Sequence, residues 1–304
     1  MKEILRITIG LTISCLIAAF VMGSVFTVTN KAKRHNEHMD LQNTMLGLLG
    51  YSKSHPAPPD LKLHPVYRYI IEDGEARYLG YMVPVRKNGK EVYELLVVDL
   101  EGKLRERSGL NISPEQAIEL SERETALQEV LKPPKRFHYA DSFIVATLGK
   151  QRLAYLLPGE FPGFKTFIRV MLALSPSFEI TGLEILEQEE DPGLGGEIVQ
   201  DYFKNQFVGK SFKKLKALKV VKKPLPEEYR RYLEREKYKD ETFTKDQIEQ
   251  IQQKYRDADI YALTGATISS KAVTNGVKNV VKKFAYREKM LERIMTQERV
   301  LAAF

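Results

Sequence analysis

The sequence predicts an α+β fold: an antiparallel sheet with flanking helices, tethered by one N-terminal transmembrane helix. Three observations carry this expectation. Residues 7–30 contain no charged side chain. Residues 66–104 and 143–186 are apolar, β-branched and aromatic runs broken by glycine turns. Segments with helical apolar spacing lie between and after those two stretches.

The anchor comes first. The run ITIGLTISCLIAAFVMGSVFTVTN exceeds the ~20 apolar residues a helix needs to cross a bilayer. A cleaved signal peptide has a shorter apolar core, about 7–15 residues, ending in small residues. Val25, Phe26 and Thr27 make a poor cut site, and the apolar run continues well past Cys15. Residues 1–30 are therefore read as an uncleaved anchor. Residues 31–60 read as a polar helix followed by a Pro-rich linker, SKSHPAPPD at 52–60.

Residues 61–135 read as an α+β segment. Strands are expected on either side of Asp73-Gly74 and of Asn88-Gly89, a pair that tolerates positive φ and marks a hairpin. A helix follows, with Ser113 as cap, Pro114 in its first turn and Gln116 completing a capping box. Pro133-Pro134 stops it. A second set of strands runs over 143–186. Gly74, Pro84 and Gly89 of the first set parallel Gly149, Pro158 and Gly163 of the second. The parallel fits either a duplicated hairpin unit or two ordinary meanders. A helix is expected over 197–207, closed by Gly209, and the six lysines at 213–223 read as a solvated strand face. Residues 225–256 form a charged, helical insertion. The last helical pattern starts at Ser270, and residues 285–304 read as an amphipathic C-terminal helix packing on a partner or the membrane surface.

Composition narrows the function classes. The chain has 304 residues and one cysteine, Cys15, so no internal disulfide and no cysteine-based metal site can form. Iron–sulfur clusters need about four thiolates, and c-type haem needs Cys-x-x-Cys-His. Electron transfer by this chain would require an organic cofactor. No metal ligands and no catalytic acid–base pair are assigned. His35 and His38 read as a solvated helix face, and adjacent Glu189 and Glu190 rarely converge on one substrate atom. The net charge of +7 permits anionic lipid or an acidic partner and does not demand nucleic acid.

Two segments hold the candidate chemistry. In ALTGATISSKAV, at 262–273, Thr264, Gly265, Ala266 and Thr267 turn into a helix carrying Ser269, Ser270 and Lys271. Helix-start amides attract phosphate, hydroxyls add donors, and Gly265 permits close approach. A plain Ser/Thr cap fits the same residues. In LEQEEDPGLGGEI, at 186–198, Gly193, Leu194 and Gly195 form a tight strand-to-helix loop. It is not a dinucleotide fingerprint, because Ile198 stands where the third glycine would be.

Together these segments resemble the FMN-binding domain of the G-type protein of the Rnf electron-transport complex, a domain shared with the C-type protein of the sodium-translocating NADH:quinone oxidoreductase. That family carries a Ser/Thr-Gly-Ala-Thr motif whose last Thr is esterified to the FMN phosphate. The resemblance thus implies a covalent FMN on Thr267. It also implies that the loop around Gln188, Gly193, Leu194 and Gly195 packs on the flavin. It spans about residues 143–284 plus the anchor, and frames 136–284 as the FMN-binding domain. Three positions depart from the family pattern: Gln188 replaces His, Asp191 replaces Thr, and Tyr261 replaces the Asp read by flavin transferase, with Asp259 two residues further back.

The implied function is that of an electron-carrier subunit in a membrane-bound, redox-driven, ion-translocating oxidoreductase. It would be matured by a flavin transferase and surrounded by partner subunits. Alternatives are an FMN protein of another respiratory or extracytoplasmic chain, or a flavin-free tethered scaffold. The resemblance places the chain in the inner membrane, single-pass, with its body on the periplasmic or extracytoplasmic side. Charge counting points weakly the other way, since Lys31, Lys33 and Arg34 outnumber Lys2 and Arg6. The expectation follows the resemblance.

Overall fold

A computed structural model of the chain describes residues 2–235, 237 and 243–304. Helix α1 (Lys2–Leu48) is one unbroken element of 47 residues. Its segment Lys2–Phe26, with mean hydropathy 2.2 and no burial against the rest of the chain, is long and apolar enough to cross a membrane. The polar helix expected after the anchor is the continuation of the same element.

Strands β1 (Leu61–Asp73), β2 (Ala76–Lys87), β3 (Lys90–Val98) and β4 (Leu104–Leu110) form a meander. A short 3-10 turn and helix α2 (Leu120–Val130) follow. Asn88 and Gly89 both adopt positive φ, as the hairpin reading requires. Ser113 and Gln116 do exchange hydrogen bonds, but they cap only the 3-10 turn. Extended Glu119 separates that turn from α2.

Strands β5 (Arg136–Leu148), β6 (Gln151–Pro162), β7 (Phe167–Leu174) and β8 (Ile180–Glu187) form a second meander, again followed by a 3-10 turn, here Gly195–Val199. The two meanders join through antiparallel β1 and β5 into one eight-stranded sheet ordered β4-β3-β2-β1-β5-β6-β7-β8. Residues 61–135 thus extend the sheet of the second meander. Strand lengths run 13, 12, 9, 7 and then 13, 12, 8, 8 outward from the β1/β5 seam.

Short elements complete the order: α3 (Asp201–Lys204), α4 (Phe212–Ala217), β9 (Val220–Val221), α5 (Glu227–Leu233), α6 (Lys245–Tyr255), β10 (Ile260–Tyr261) and α7 (Thr267–Gln297). The lysine-rich segment read as a strand opens as helix α4, started by Ser211, whose hydroxyl accepts from the Lys214 amide. Only Val220 and Val221 pair, in parallel with Ile260 and Tyr261.

One face of the sheet is covered by α7. Val273, Val277, Val281, Phe284, Leu291 and Ile294 of that helix are buried against residues of both meanders, Val83 and Leu96 among them. Each fully buried side chain of this size contributes about 1.5–3 kcal/mol. On the opposite face α2 covers the first meander, and the end of α1, through Leu41, Met45 and Leu48, packs on the second. Residues 285–304 therefore pack on the chain's own sheet and not outward as expected. The Arg86 amide donates to the Leu301 carbonyl at 2.9 Å and the Ala303 amide to the Pro84 carbonyl at 2.9 Å.

Candidate functional site

The two candidate segments, some 70 residues apart in sequence, meet at the N-terminus of α7, where the 3-10 turn that follows β8 packs against that helix. A Cβ added at Gly265 would lie 2.9 Å from Leu194 Cδ2, and one added at Gly195 would lie 2.6 Å from Ser269 Oγ. A side chain at either place would force its neighbours to shift. Gly265 (φ +75) and Gly193 (φ +73) also hold left-handed backbone that side chains rarely adopt. Beyond Gly193 the space is open.

A buried carboxylate fastens the arrangement. Glu190 is 5% exposed. Its Oε1 accepts from the Phe164 amide at 2.7 Å and the Lys165 amide at 3.2 Å, in the turn between β6 and β7. Its Oε2 accepts from the Ser269 hydroxyl on α7. One side chain thus joins the β6–β7 turn, the glycine loop and the first turn of α7. An ion pair between Lys165 and Asp191, 2.5 Å, closes the loop onto the same turn, and this contact holds the Lys165 ammonium above its ordinary range. Asp191 therefore serves here as a lysine partner.

Thr267, half-buried, is the first residue of α7, while Thr264 and Lys271 are exposed beside it. The opening amides of a helix have no intrahelical acceptor, and the helix dipole favours an anion there. Two predicted donors are engaged elsewhere. The Ser270 hydroxyl donates to the Ala266 carbonyl (2.9 Å) and accepts from the Leu263 amide (3.0 Å), while Ser269 donates to Glu190. Both are buried and hold the turn in shape, so neither hydroxyl hydrogen is offered outward. Gln188 likewise turns inward, its Oε1 accepting from the Glu190 amide at 2.6 Å.

Exposed apolar side chains stand on each of the three joined segments: Phe164 (56%), Leu194 (46%) and Ile268 (57%). Sequence reasoning missed Phe164 and set Glu190 aside. A buried carboxylate leaves no periodic mark, and Phe164 becomes part of the site only through the fold. Tyr261 is held by its backbone, its amide donating to Gln206 Oε1 at 2.8 Å. Asp259 is occupied by Lys214 (2.7 Å) and by the Lys219 amide (3.2 Å). Burial raises its pKa, but these contacts outweigh burial and hold the carboxyl below its ordinary value.

The site therefore combines a helix start, a side-chain-poor loop with left-handed glycines, a hydroxyl at the first helical position and an apolar rim. Those features suit a phosphate joined to a flat apolar group, which needs backbone donors at one end and open, Cβ-free surface at the other.

Residues 163–282 match the FMN-binding domain. Over 136 residues the chain is 34% identical to the G subunit of the proton-translocating ferredoxin:NAD(+) oxidoreductase complex of Clostridium ljungdahlii, covering 45% of this chain and 56% of that one. Over 119 residues it is 33% identical to the G subunit of the Na(+)-translocating ferredoxin:NAD(+) oxidoreductase complex of Acetobacterium woodii, covering 39% and 42%. The chain thus spans about half the length of the curated relatives it matches. Among solved structures, the C subunit of the Na(+)-translocating NADH-quinone reductase of Parabacteroides distasonis aligns at 18% identity over 66% of this chain and 77% of that one, with TM-score 0.35. NqrC of Shewanella oneidensis aligns at 19% identity over 60% and 75%, with TM-score 0.36.

Proposed function

We propose that this chain, whose residues 163–282 match the FMN-binding domain, holds FMN as a phosphoester on Thr267. We propose further that it serves as an electron-carrier subunit of a membrane-bound, ion-translocating oxidoreductase complex of the Rnf type. The observation that carries the reading is the meeting of the glycine loop with the start of α7, Leu194 on Gly265 and Gly195 on Ser269. A loop that approaches a helix N-terminus this closely, with open space beyond Gly193, offers one end of a ligand an anion seat and the other a flat bed.

In this reading the Thr267 hydroxyl is the attachment point and the opening amides of α7 receive the phosphate oxygens. Lys271, exposed on the next turn, adds positive charge. Phe164, Leu194 and Ile268, exposed on the three joined segments, would hold the ring and shield it from water. Glu190 holds the three segments in register and does not itself touch the reacting atoms. FMN, when bound, supplies transfer of one or two electrons. The anchor sits in the inner membrane and the body on its periplasmic or extracytoplasmic side, where a covalent link keeps the cofactor from being lost. Other subunits of the complex supply donor and acceptor, and a flavin transferase installs the FMN.

The test is in-gel flavin fluorescence under denaturing conditions after co-expression with a flavin transferase. The wild type should fluoresce. Thr267→Val, which keeps the shape and removes the oxygen, should be dark. Tyr261→Asp, restoring the residue that the transferase reads in the family, should fluoresce at least as strongly. Fluorescence that survives Thr267→Val would overturn the site, and a dark wild type would overturn the function.

A further inference from the structure

A second cavity of about 540 Å³ lies between α7 and the sheet, away from the loop–helix site. Its α7 wall begins at Val280, 13 residues past Thr267, about 20 Å along the helix at about 1.5 Å per residue. Gly159 on β6 helps to form it: a Cβ there would meet Val280 Cγ2 at 3.3 Å, so the two backbones approach closely at that end. Leu157, Val280 and Phe284 give the cavity an apolar wall.

Cationic side chains line the rest of the cavity. Arg68, 7% exposed, donates through Nε to Asp141 Oδ1 at 2.8 Å and through a second nitrogen to Oδ2. Arg287 Nη1 donates to the same Oδ2 at 2.9 Å. One carboxylate is thus shared by two guanidinium groups, and Lys283 stands at the mouth. Three cations, Arg68, Arg287 and Lys283, gather round Asp141, while Glu160 and Arg169, paired at 3.8 Å, also line the cavity. Tyr81 lines the same cavity. It is 0% exposed, and its hydroxyl has no hydrogen-bond partner among the described residues. Burial pushes that hydroxyl up to about 12, against the lowering pull of Arg68 and Arg287, so it is a donor at neutral pH. A buried, unsatisfied hydroxyl is costly, and natural interiors rarely leave one without an acceptor.

We propose that this cavity is a second ligand site, for a small organic carboxylate with an apolar body. Its carboxylate accepts from Tyr81 and from the free guanidinium nitrogens and balances the excess charge of Arg68, Arg287 and Lys283. Its apolar body lies against Leu157 and Phe284. A volume of this order is within the usual range for small-molecule pockets, about 300–1,000 Å³. The inference is independent of the reading of the Thr267 site.

The experiment is calorimetric titration of the detergent-solubilised full chain with 2-naphthoate, its neutral analogue 2-naphthamide and inorganic phosphate, together with melting temperatures. Naphthoate should bind, with naphthamide and phosphate each at least about tenfold weaker. Tyr81→Phe should weaken naphthoate about tenfold, the value of one hydrogen bond to a charged group, and should raise the melting temperature of the ligand-free protein by removing an unsatisfied hydroxyl. Lys283→Gln, at an exposed position, should also weaken binding, and Thr267→Val should leave it unchanged. The proposal is overturned if naphthoate fails to bind, if Tyr81→Phe binds it as the wild type does or melts lower, or if the amide or phosphate binds equally well. Loss of binding in Thr267→Val would show that the ligand reads the loop–helix site and would equally overturn it.

Discussion

At the scale of single residues, two carboxylates decide how the fold responds to change. Glu190 accepts from three donors on two other segments, using both oxygens. Glu190→Gln puts an amide NH2 where one of those donors points. It should cost about 1–3 kcal/mol in thermal unfolding and reduce fluorescence from the flavin proposed on Thr267, while Glu189→Gln, at an exposed neighbour, should change neither. Glu94 is different. Burial raises its pKa, but Lys87 (2.7 Å) and Arg107 (2.8 Å) outweigh burial and hold it below its ordinary 4.5. Its pairing therefore stabilises the fold fully above pH 4.5 and is lost as pH falls through the lower folded value. A melting series from pH 7 to about 2.5 should show a steep acid-side loss, shallower in Glu94→Gln.

At the scale of elements, α7 is the member on which the most depends. It begins at the candidate attachment residue and buries side chains along its whole length of 31 residues. Gly276 lets it lie against β6, since a Cβ there would run into the Phe161 ring. Gly276→Val should cost about 1–3 kcal/mol by overpacking, with a lower melting temperature even where no flavin is attached. Much of this helix was legible: the stripe of Val273, Val277, Val281 and Phe284 marks its buried face at helical spacing. The continuation through Leu291 and Ile294 was legible as a pattern but not as a destination. Period alone says that a face is apolar, not whether a partner, a membrane or the chain's own sheet covers it. The hairpins were legible from Asn88-Gly89 and its counterparts, because positive φ is a local demand. The seam between β1 and β5 was not, because strand pairing across 75 residues leaves no local mark. The lysine-rich stretch misled for a related reason, since six residues suffice for a capped turn of helix or for a short strand.

At the scale of the whole molecule, the tail closes the sheet. Val85 bridges Ala302, and the Phe304 ring lies 6.2 Å from that of buried His64. Deleting residues 300–304 removes three backbone hydrogen bonds to the rest of the chain and the burial of Val300 and Ala303, and should cost about 2–4 kcal/mol, read as a lower melting temperature of the isolated chain. Membrane topology is tested at the same end: a reporter enzyme active only in the periplasm, fused after Phe304, should be active, and activity of a cytoplasm-only reporter would reverse the proposed location. The attachment of α1 has a further consequence. Leu41, Met45 and Leu48 fix the end of that helix to the sheet, and no loop intervenes between Phe26 and Leu41. The 15 helical steps from Phe26 to Leu41 make a stiff spacer of about 22 Å. Such a spacer sets compass heading as well as altitude, because each added residue lifts the body about 1.5 Å and turns it about 100°. Two extra alanines would leave the fold whole and point the Thr267 face nearly backwards, whereas seven would restore its bearing about 10 Å higher. Electron transfer within the proposed complex should then follow the phase of the helix and not the length of the insertion.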